Sequence, residues 1–328
     1  MEDSTKHSDA GKRQKITVCI LTYNHERYIA DCLSSVVAQQ VDADLEILVG
    51  EDCSRDKTRE IIAQFARRYP DLIFPLLHEK NLGAGGNCRA LMARASGDYI
   101  AHMDGDDFWM PGKLQAQLAF LQSHPRCGAV YSNAAVIDDT GKFVSRFNRA
   151  VVQEFDLDFL IGEGNFLCYS SLLYRRECRE RLLRIDGDFI DYMVHVEIAG
   201  GAMLGYVNRD LTVYRVNSLN SMSSGMPEHV TNLYWSAVMR AVQLGVSRTS
   251  LRSCLVGRCR SLLRTALVRR LPGVAWRQYR RMSAQAPLFM PAVVLRAAVS
   301  LPYYLARDLW HACAPRIVRS GPHILYDR

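Results

Sequence analysis

Apolar residues in the first hundred positions fall into short blocks separated by amphipathic stretches. Residues 16–22 (ITVCILT), 45–50 (LEILVG), 72–78 (LIFPLLH) and 98–103 (DYIAHM) are short, apolar and β-branched, which predicts buried strands. Pro75 marks the third as an edge strand. Between the first two, Tyr28, Ile29, Cys32, Leu33, Val36 and Val37 recur at helical spacing within 26–40. A second helix is predicted over 57–68, with Asp56 as its N-cap and Pro70 closing it. A third, near 87–96, follows the glycine-rich turn NLGAGG and ends at Gly97. This alternation predicts right-handed βαβ units and a mostly parallel sheet in an α/β fold.

After Pro111 the pattern predicts a helix over 112–123, a strand over 128–137 and a hairpin-type turn at DDTGK (138–142). Residues 155–217 are mixed. Helical FDLDFLIG comes first, then strand-like FLCYSSLLY, a charged helix RRECRERLLR, a helix FIDYMVHVEIAGG and strand-like LGYVNRDLTVYRV. The polar stretch LNSMSSGMP (219–227) reads as a linker or mobile loop. From 229 onward the chain reads as helices broken near Gly245, Pro272–Gly273 and Pro287. The apolar run from Pro287 to Ala306 nears the ~20 residues of a membrane span. However, it carries Arg296 and three prolines, and a mid-bilayer Arg costs about 2.5 kcal/mol or more. A buried or interfacial helix is the expectation.

Three polar clusters, TYNHE (22–26), EDCSRD (51–56) and DGDD (104–107), each follow a predicted strand. In an open sheet such positions converge on the rim where ligands bind. Asp104, Asp106 and Asp107 place three carboxylates in four residues, a repulsion that a cation or heavy hydrogen bonding relieves, unless the cluster is simply a solvated acidic turn. Oxygen-only ligands favour Mg²⁺ or Mn²⁺, whose shell phosphate oxygens complete. Asp52 after the second strand is suited to accept hydrogen bonds from a nucleobase or ribose. Asn81, Gly83 and Asn87 lie on a turn entering a helix, where free N–H groups attract anions.

ILTYNHERYIADCLSSVVAQ, LVGEDCSRDKT, NLGAGGN and ASGDYIAHMDGDDFWMPGKL together resemble the family 2 glycosyltransferases, in that family's order and spacing. The later segment GDFIDYMVHVEIAGGAMLGYVNRDLTVYRVNSLNS is similar to their acceptor-side half, so the resemblance covers about residues 15–225. It implies a GT-A (Rossmann-like) fold for a transferase domain at 16–225; outside it, the polar residues 1–15 read as a disordered N-terminus and 226–328 as a basic helical C-terminal region. It also implies an inverting, metal-dependent transferase using a nucleotide-sugar donor, by default a UDP-sugar, with a saccharide or lipid-linked acceptor in surface polysaccharide assembly. Carried over by position, Thr22, Tyr23, Asn24 and Glu26 line the nucleotide site, and Asp52 contacts base or ribose. Asp104 and Asp106 form the DxD pair that holds Mn²⁺ or Mg²⁺, with Asp106 as direct ligand and Asp107 in support. Asp191, 85 residues after Asp106, fits the family's general base, with Asp188 as competitor. Arg89 stands in for a helix arginine found where this chain has Asn87. Asn217 occupies the position of a metal- or diphosphate-reaching histidine, and Arg215 is placed as a diphosphate contact.

Charge adds a division that the motifs do not show. The 328 residues carry a formal net charge of +7, but residues 231–328 hold sixteen Arg, no Lys and only Asp308 and Asp327 as acids. That region is therefore +14 and residues 1–230 are −7. Arginines between apolar positions make SLRSCLVGRCRSLLRTALVRRL a basic amphipathic helix, suited to the anionic inner leaflet of a membrane. The bland alternative is a helical subdomain with solvated arginines, and no motif supports nucleic acid as partner. The scattered cysteines form no C-x-x-C pair and read as reduced core thiols. MEDSTKHSDAGKRQK has no apolar signal core, so the expectation is a cytoplasmic protein, peripheral on the membrane at most. Two other readings stand beside the transferase: an inactive GT-A-fold scaffold that works through its basic helices, and a nucleotidyltransferase, which the absence of a Gly-rich basic loop after the first strand disfavours.

Overall fold

The computed structural model describes residues 13–148, 152–216, 227–267, 270, 272–285, 290–313 and 323–326. Its first half alternates as the apolar pattern predicts: β1 (Lys15–Thr22), α1 (Ile29–Val37), β2 (Asp44–Glu51), α2 (Thr58–Arg68), β3 (Ile73–Leu77), α3 (Gly83–Arg94) and β4 (Tyr99–Asp104). β3, β2, β1 and β4 lie side by side and parallel, with β3 at the edge, where Pro75 needs no second neighbour. β1 is buried almost throughout, which its run of Ile, Val, Cys and Leu requires of a central parallel strand.

Beyond β4 the sheet changes character. β5 (Phe108–Trp109), α4 (Lys113–Ser123), β6 (Cys127–Ile137), β7 (Phe143–Asn148), β8 (Glu154–Phe155), α5 (Leu157–Glu163), β9 (Leu173–Arg175), α6 (Arg179–Leu183), α7 (Asp191–Ala199) and β10 (Met203–Arg215) follow. β9 lies antiparallel between β4 and β6, β10 runs parallel to β6, and β5, β7 and β8 pair antiparallel. The sheet is thus parallel on the side of β1–β4 and mixed on the other. Asp138–Lys142 makes the expected hairpin turn, with Gly141 at φ +84°.

Two local expectations need correction. FLCYSSLLY is not one strand: Tyr169–Ser171 forms a 3-10 turn, and only Leu173–Arg175 pairs in the sheet. Ser171 explains the break, because its hydroxyl and its N–H both donate to the Cys168 carbonyl, a local bond that competes with the ladder. The third helix starts at Gly83 rather than near 87, so most of the glycine run is helix. Gly83 adopts φ +73°, and its N–H donates to Asn81 Oδ1, which closes the turn ahead of that helix.

Four further helices follow: α8 (Pro227–Gln243), α9 (Arg248–Leu267), α10 (Pro272–Gln285) and α11 (Met290–Cys313), with a short β11 (His323–Tyr326) on β7. Most of the expected linker (219–227), and Asn217, lie outside the described residues. α8 packs on α7 and α9 on α5, and Trp235, Cys254, Leu255, Leu262, Val293 and Ala297 join the same buried cluster as Tyr131, Leu160 and Tyr192. Among the described residues no helix is long and apolar enough to cross a membrane. Cys19, Cys32, Cys88, Cys127, Cys168, Cys178, Cys254 and Cys259 are free and buried, and Cys53 is free and half-buried.

At Gly50 on β2 a Cβ would collide with the Asn87 side chain of α3. Gly50→Ala should therefore destabilise the protein by about 1–3 kcal/mol, read as a lower urea midpoint at unchanged slope. A wild-type midpoint would show that this contact is loose.

Candidate active site

The ends of β1, β2 and β4 are adjacent in the sheet, so the loops that leave them share one rim. The first two loops are stapled together. The Asn24 N–H donates to Ser54 Oγ (2.9 Å), and Asn24 Oδ1 accepts from the Arg55 N–H (2.8 Å). The His25 N–H donates to Thr58 Oγ1 (2.8 Å) and the Glu26 N–H to Asp56 Oδ2 (3.0 Å), while Glu26 Oε2 accepts from the Lys57 N–H (3.0 Å). Asn24 and Cys53 hold left-handed backbone angles (φ +54° and +62°), which these bonds sustain. Fully buried Glu51 accepts from the Ser54 N–H (2.6 Å) and from Arg59 Nε (2.7 Å), fixing the second loop from beneath.

Asp52 is nearly buried. Its Oδ1 accepts from the Leu82 N–H (2.7 Å), and its carbonyl accepts from Asn81 Nδ2 (3.1 Å). Asp52, Asn81 and Gly83 are thereby brought together. Asn87 belongs to the scaffold: its Nδ2 donates to the Gly50 carbonyl (2.7 Å), and its Oδ1 accepts from His78 Nε2 (3.0 Å). Arg89 reaches the Gly187 carbonyl (2.6 Å), in the segment ahead of α7, and its guanidinium lies over Phe189.

After β4 the three aspartates part company. Asp107 is buried and occupied: Oδ2 accepts from Ser170 Oγ (2.6 Å) and Oδ1 from the Arg215 N–H (2.8 Å). Asp104 and Asp106 are less enclosed. Burial, then the charges of Asp106 and Asp191, push Asp104 up to about 8. The charge of Asp191, at the start of α7, is thus felt at Asp104 in the DGDD turn. Asp191 is itself raised by burial, with Oδ1 accepting from Asn165 Nδ2 (3.1 Å) and the Tyr192 N–H (2.7 Å). Asp188 is turned elsewhere, its Oδ2 2.6 Å from His229 Nε2 on α8.

Arg215 is mostly buried; its Nε donates to the Asp106 carbonyl (3.1 Å) and its guanidinium lies over Tyr28. These contacts make it a clamp on the DGDD turn. Gly105 sits where Thr22 Oγ1 and His25 Nδ1 would each lie within 3 Å of a Cβ, so only glycine fits. Thr22 Oγ1 and His25 Nδ1 are both buried without hydrogen-bond partners. Burial lowers the His25 pKa while Asp106 and Asp56 raise it. His25 and Ser170 are site residues that the motif pattern does not single out: His25 stands inside TYNHE, and Ser170 sits in a turn read as strand.

Among the described residues no three His, Cys, Asp or Glu side chains gather closely enough to enclose a metal ion. Asp104 and Asp106 nevertheless suit Mg²⁺ or Mn²⁺, which take one or two carboxylates and fill the shell with phosphate and water. The upward shift of Asp104 is the electrostatic strain that such a cation relieves.

Residues 17–183 match the family model described as Glycosyl transferase family 2, just over half the chain. The chain belongs to glycosyl transferase family 2. Among its relatives, an uncharacterized glycosyltransferase of Nostoc sp. is 31% identical over 221 residues, covering 64% of this chain and 67% of that one. An uncharacterized protein of Mycobacterium tuberculosis is 31% identical over 202 residues, 61% of this chain; the match spans only 58% of the relative's length. The amylovoran biosynthesis glycosyltransferase AmsE of Erwinia amylovora is 30% identical over 165 residues, covering 49% of this chain and 60% of that one. In fold, the family 2 chain is similar to Staphylococcus aureus TarS in complex with UDP-GlcNAc (TM-score 0.58, 19% identity, 74% of this chain and 71% of that one). It is also similar to a Pyrobaculum calidifontis mannosyltransferase in complex with GDP-Man and Mn²⁺ (TM-score 0.53, 16% identity, 89% and 88%). The α/β GT-A architecture is therefore as expected.

The raised Asp104 gives the family 2 site a pH signature. The unfolded chain ionises this carboxyl near 3.8, and the folded protein keeps its proton to about 8. In that window the folded state binds the extra proton, so this group's contribution to stability falls as pH rises. In metal-free buffer, Asp104→Asn should gain on wild type with rising pH, melting a few degrees higher at about pH 8 and level with it near pH 4. A constant difference between the two melting curves would refute the shift.

Proposed function

We propose that this chain is a metal-dependent inverting glycosyltransferase that moves a sugar from a nucleotide diphosphate, a UDP-sugar by default, to a saccharide or lipid-linked acceptor. The observation that carries this reading is that the charge of Asp191, at the start of α7, reaches Asp104 in the DGDD turn at the end of β4. The reading takes residues 16–225 as the transferase domain and 226–328 as an appended basic helical region.

In this mechanism Thr22, Tyr23, Asn24, Glu26 and Asp52 form the nucleotide wall, which the cross-linked loops hold rigid. Asp104 and Asp106 would hold Mn²⁺ or Mg²⁺, which would supply positive charge to the departing diphosphate. Asp107 and Arg215 keep those two carboxylates in place. Asp191 takes the acceptor hydroxyl proton as the new C1–O bond forms and the bond from C1 to the diphosphate breaks. A desolvated carboxyl with a raised pKa is a stronger base than a solvated one, which suits that task. Attack opposite the leaving group inverts C1, and no covalent enzyme intermediate forms. Asp188, paired with His229, is the weaker candidate for the base.

Surface polysaccharide assembly as the setting is supported by the names of relatives, among them AmsE and a putative teichuronic acid biosynthesis glycosyltransferase of Bacillus subtilis. Peripheral docking on an anionic membrane is the corresponding reading for the +14 region. On α11, Leu295, Val299 and Tyr303 are 67%, 74% and 68% exposed at four-residue spacing, beside exposed Arg296. An apolar stripe flanked by arginine suits a headgroup interface.

A screen of nucleotide sugars with and without Mn²⁺ tests the donor, because a ligand bound only by the native state raises its melting temperature. With the stabilising donor, Asp106→Asn and Asp191→Asn should each cut turnover by about 100-fold or more. Wild-type turnover in either variant would remove that residue from the mechanism. In liposome flotation the full chain should float with anionic vesicles and far less with neutral ones. Equal recovery from both would sink electrostatic docking.

A further inference from the structure

α7 carries His195 one turn after Asp191, and its ring is fully buried. Nδ1 lies 2.7 Å from the hydroxyl of Tyr131, itself fully buried on β6. Nε2 has no hydrogen-bond partner and faces Asp191 Oδ2 at 4.0 Å. Asp191 Oδ1 is already committed to Asn165 and the Tyr192 N–H. Oδ2 is thus the oxygen left for an acceptor hydroxyl, and His195 stands behind it.

The surroundings decide where the ring proton sits. Burial, reinforced by neighbouring His102, pushes His195 down to about 3, so the imidazole is neutral and carries one proton. With that proton on Nδ1, the ring would donate to Tyr131. The phenol hydrogen would then lose its acceptor in the core, and the Nε2 lone pair would face a carboxylate. With Tyr131 donating to Nδ1, the proton is on Nε2 and points at Asp191, and both penalties vanish. Tyr169 also faces this ring, at 6.2 Å between centroids, and its own hydroxyl is engaged by His102 Nδ1 at 2.9 Å. Asp104 is the carboxyl that feels the charge of Asp191.

We propose that Tyr131 and His195 are positioning residues for Asp191: the phenol fixes the Nε2–H tautomer, and that N–H restrains Oδ2 in the orientation that meets the acceptor hydroxyl. This rests on reading Asp191 as the base. The 4.0 Å separation is of the kind that tightens when substrate completes a catalytic site. Hydrogen-bond donors standing behind a metal-binding side chain orient it in the same way in other proteins.

Long-range ¹H–¹⁵N spectra of the ¹⁵N-histidine-labelled full chain test the tautomer without any substrate. The His195 signals are assigned by their loss in His195→Gln. The expected pattern is neutral Nε2–H, converted to mixed tautomers by Tyr131→Phe; Nδ1–H in the wild type overturns the proposal. For catalysis, UDP-GlcNAc and GDP-mannose serve as donor probes, with released UDP or GDP as the readout. Tyr131→Phe and His195→Leu should lower kcat about tenfold at unchanged donor KM, and His195→Gln should recover most of it, since its amide N–H occupies the Nε2 position. Equal losses in His195→Gln and His195→Leu that track lowered melting temperatures would mean packing alone and overturn the proposal. Asp191→Asn separates the two ideas. If it keeps turnover, the base assignment fails. If it is inactive while Tyr131→Phe and His195→Leu match wild type, only the positioning role fails.

Discussion

Packing Asp104, Asp106 and Asp107 into one turn at the end of β4, with Asp191 close by, costs electrostatic free energy that the surrounding chain has to offset. Each neighbour handles a different part of that cost. Ser170 and the Arg215 N–H engage Asp107, and the Arg215 guanidinium holds the Asp106 carbonyl. Asp104 remains crowded, and a cation is the natural relief. β10 and the 3-10 turn at Tyr169–Ser171 matter chiefly because they carry these two supports to β4.

The part of the rim formed by the loops after β1 and β2 is built on another principle. Its loops leave separate strands, so neither is fixed by its own sequence. They hold shape by bonding each other, Asn24 to Ser54 and Arg55, Glu26 to Asp56 and Lys57. A site assembled in this way is preorganised, because the bonds exist before any ligand arrives. Its polar side chains are consequently divided between shaping the rim and facing the substrate: Asn87, named in the glycine turn, is spent on shape.

The C-terminal helices share the core of the transferase part and are not a loosely attached tail. Trp235, Cys254 and Leu262 bury against the cluster that holds Tyr192 of α7, the helix that presents Asp191 and His195. Arg240 of α8 grips buried Glu197 of α7 at 2.5 Å. The basic region therefore supports the helix of the proposed base on one side and leaves an apolar stripe and arginines outward on the other.

Much of this was legible in the chain. Short apolar blocks and helical spacings located β1 to β4 with their helices, because a central parallel sheet demands continuous apolar runs whose local signal is strong. DGDD, EDCSRD and TYNHE announced a rim, since short connections leave strand ends no other place for polar residues. Local sequence could not decide which carboxylate would be buried and held by Ser170 and Arg215. Asp107 and Asp106 look alike in DGDD, and only the arrival of Ser170 and Arg215, 63 and 108 residues beyond Asp107, separates them. FLCYSSLLY misled because a serine's bond to a nearby carbonyl overrode strand propensity. Asp191 and Asp188 differ in surroundings that the sequence does not show: the charge of the first reaches Asp104, and the second lies against His229. The sequence by itself determined the elements, the fold class and the set of candidate carboxylates, because those depend on short-range pattern. Tertiary structure alone decided which of them are shielded, paired or left for chemistry, because long-range neighbours set the dielectric and charge around each one.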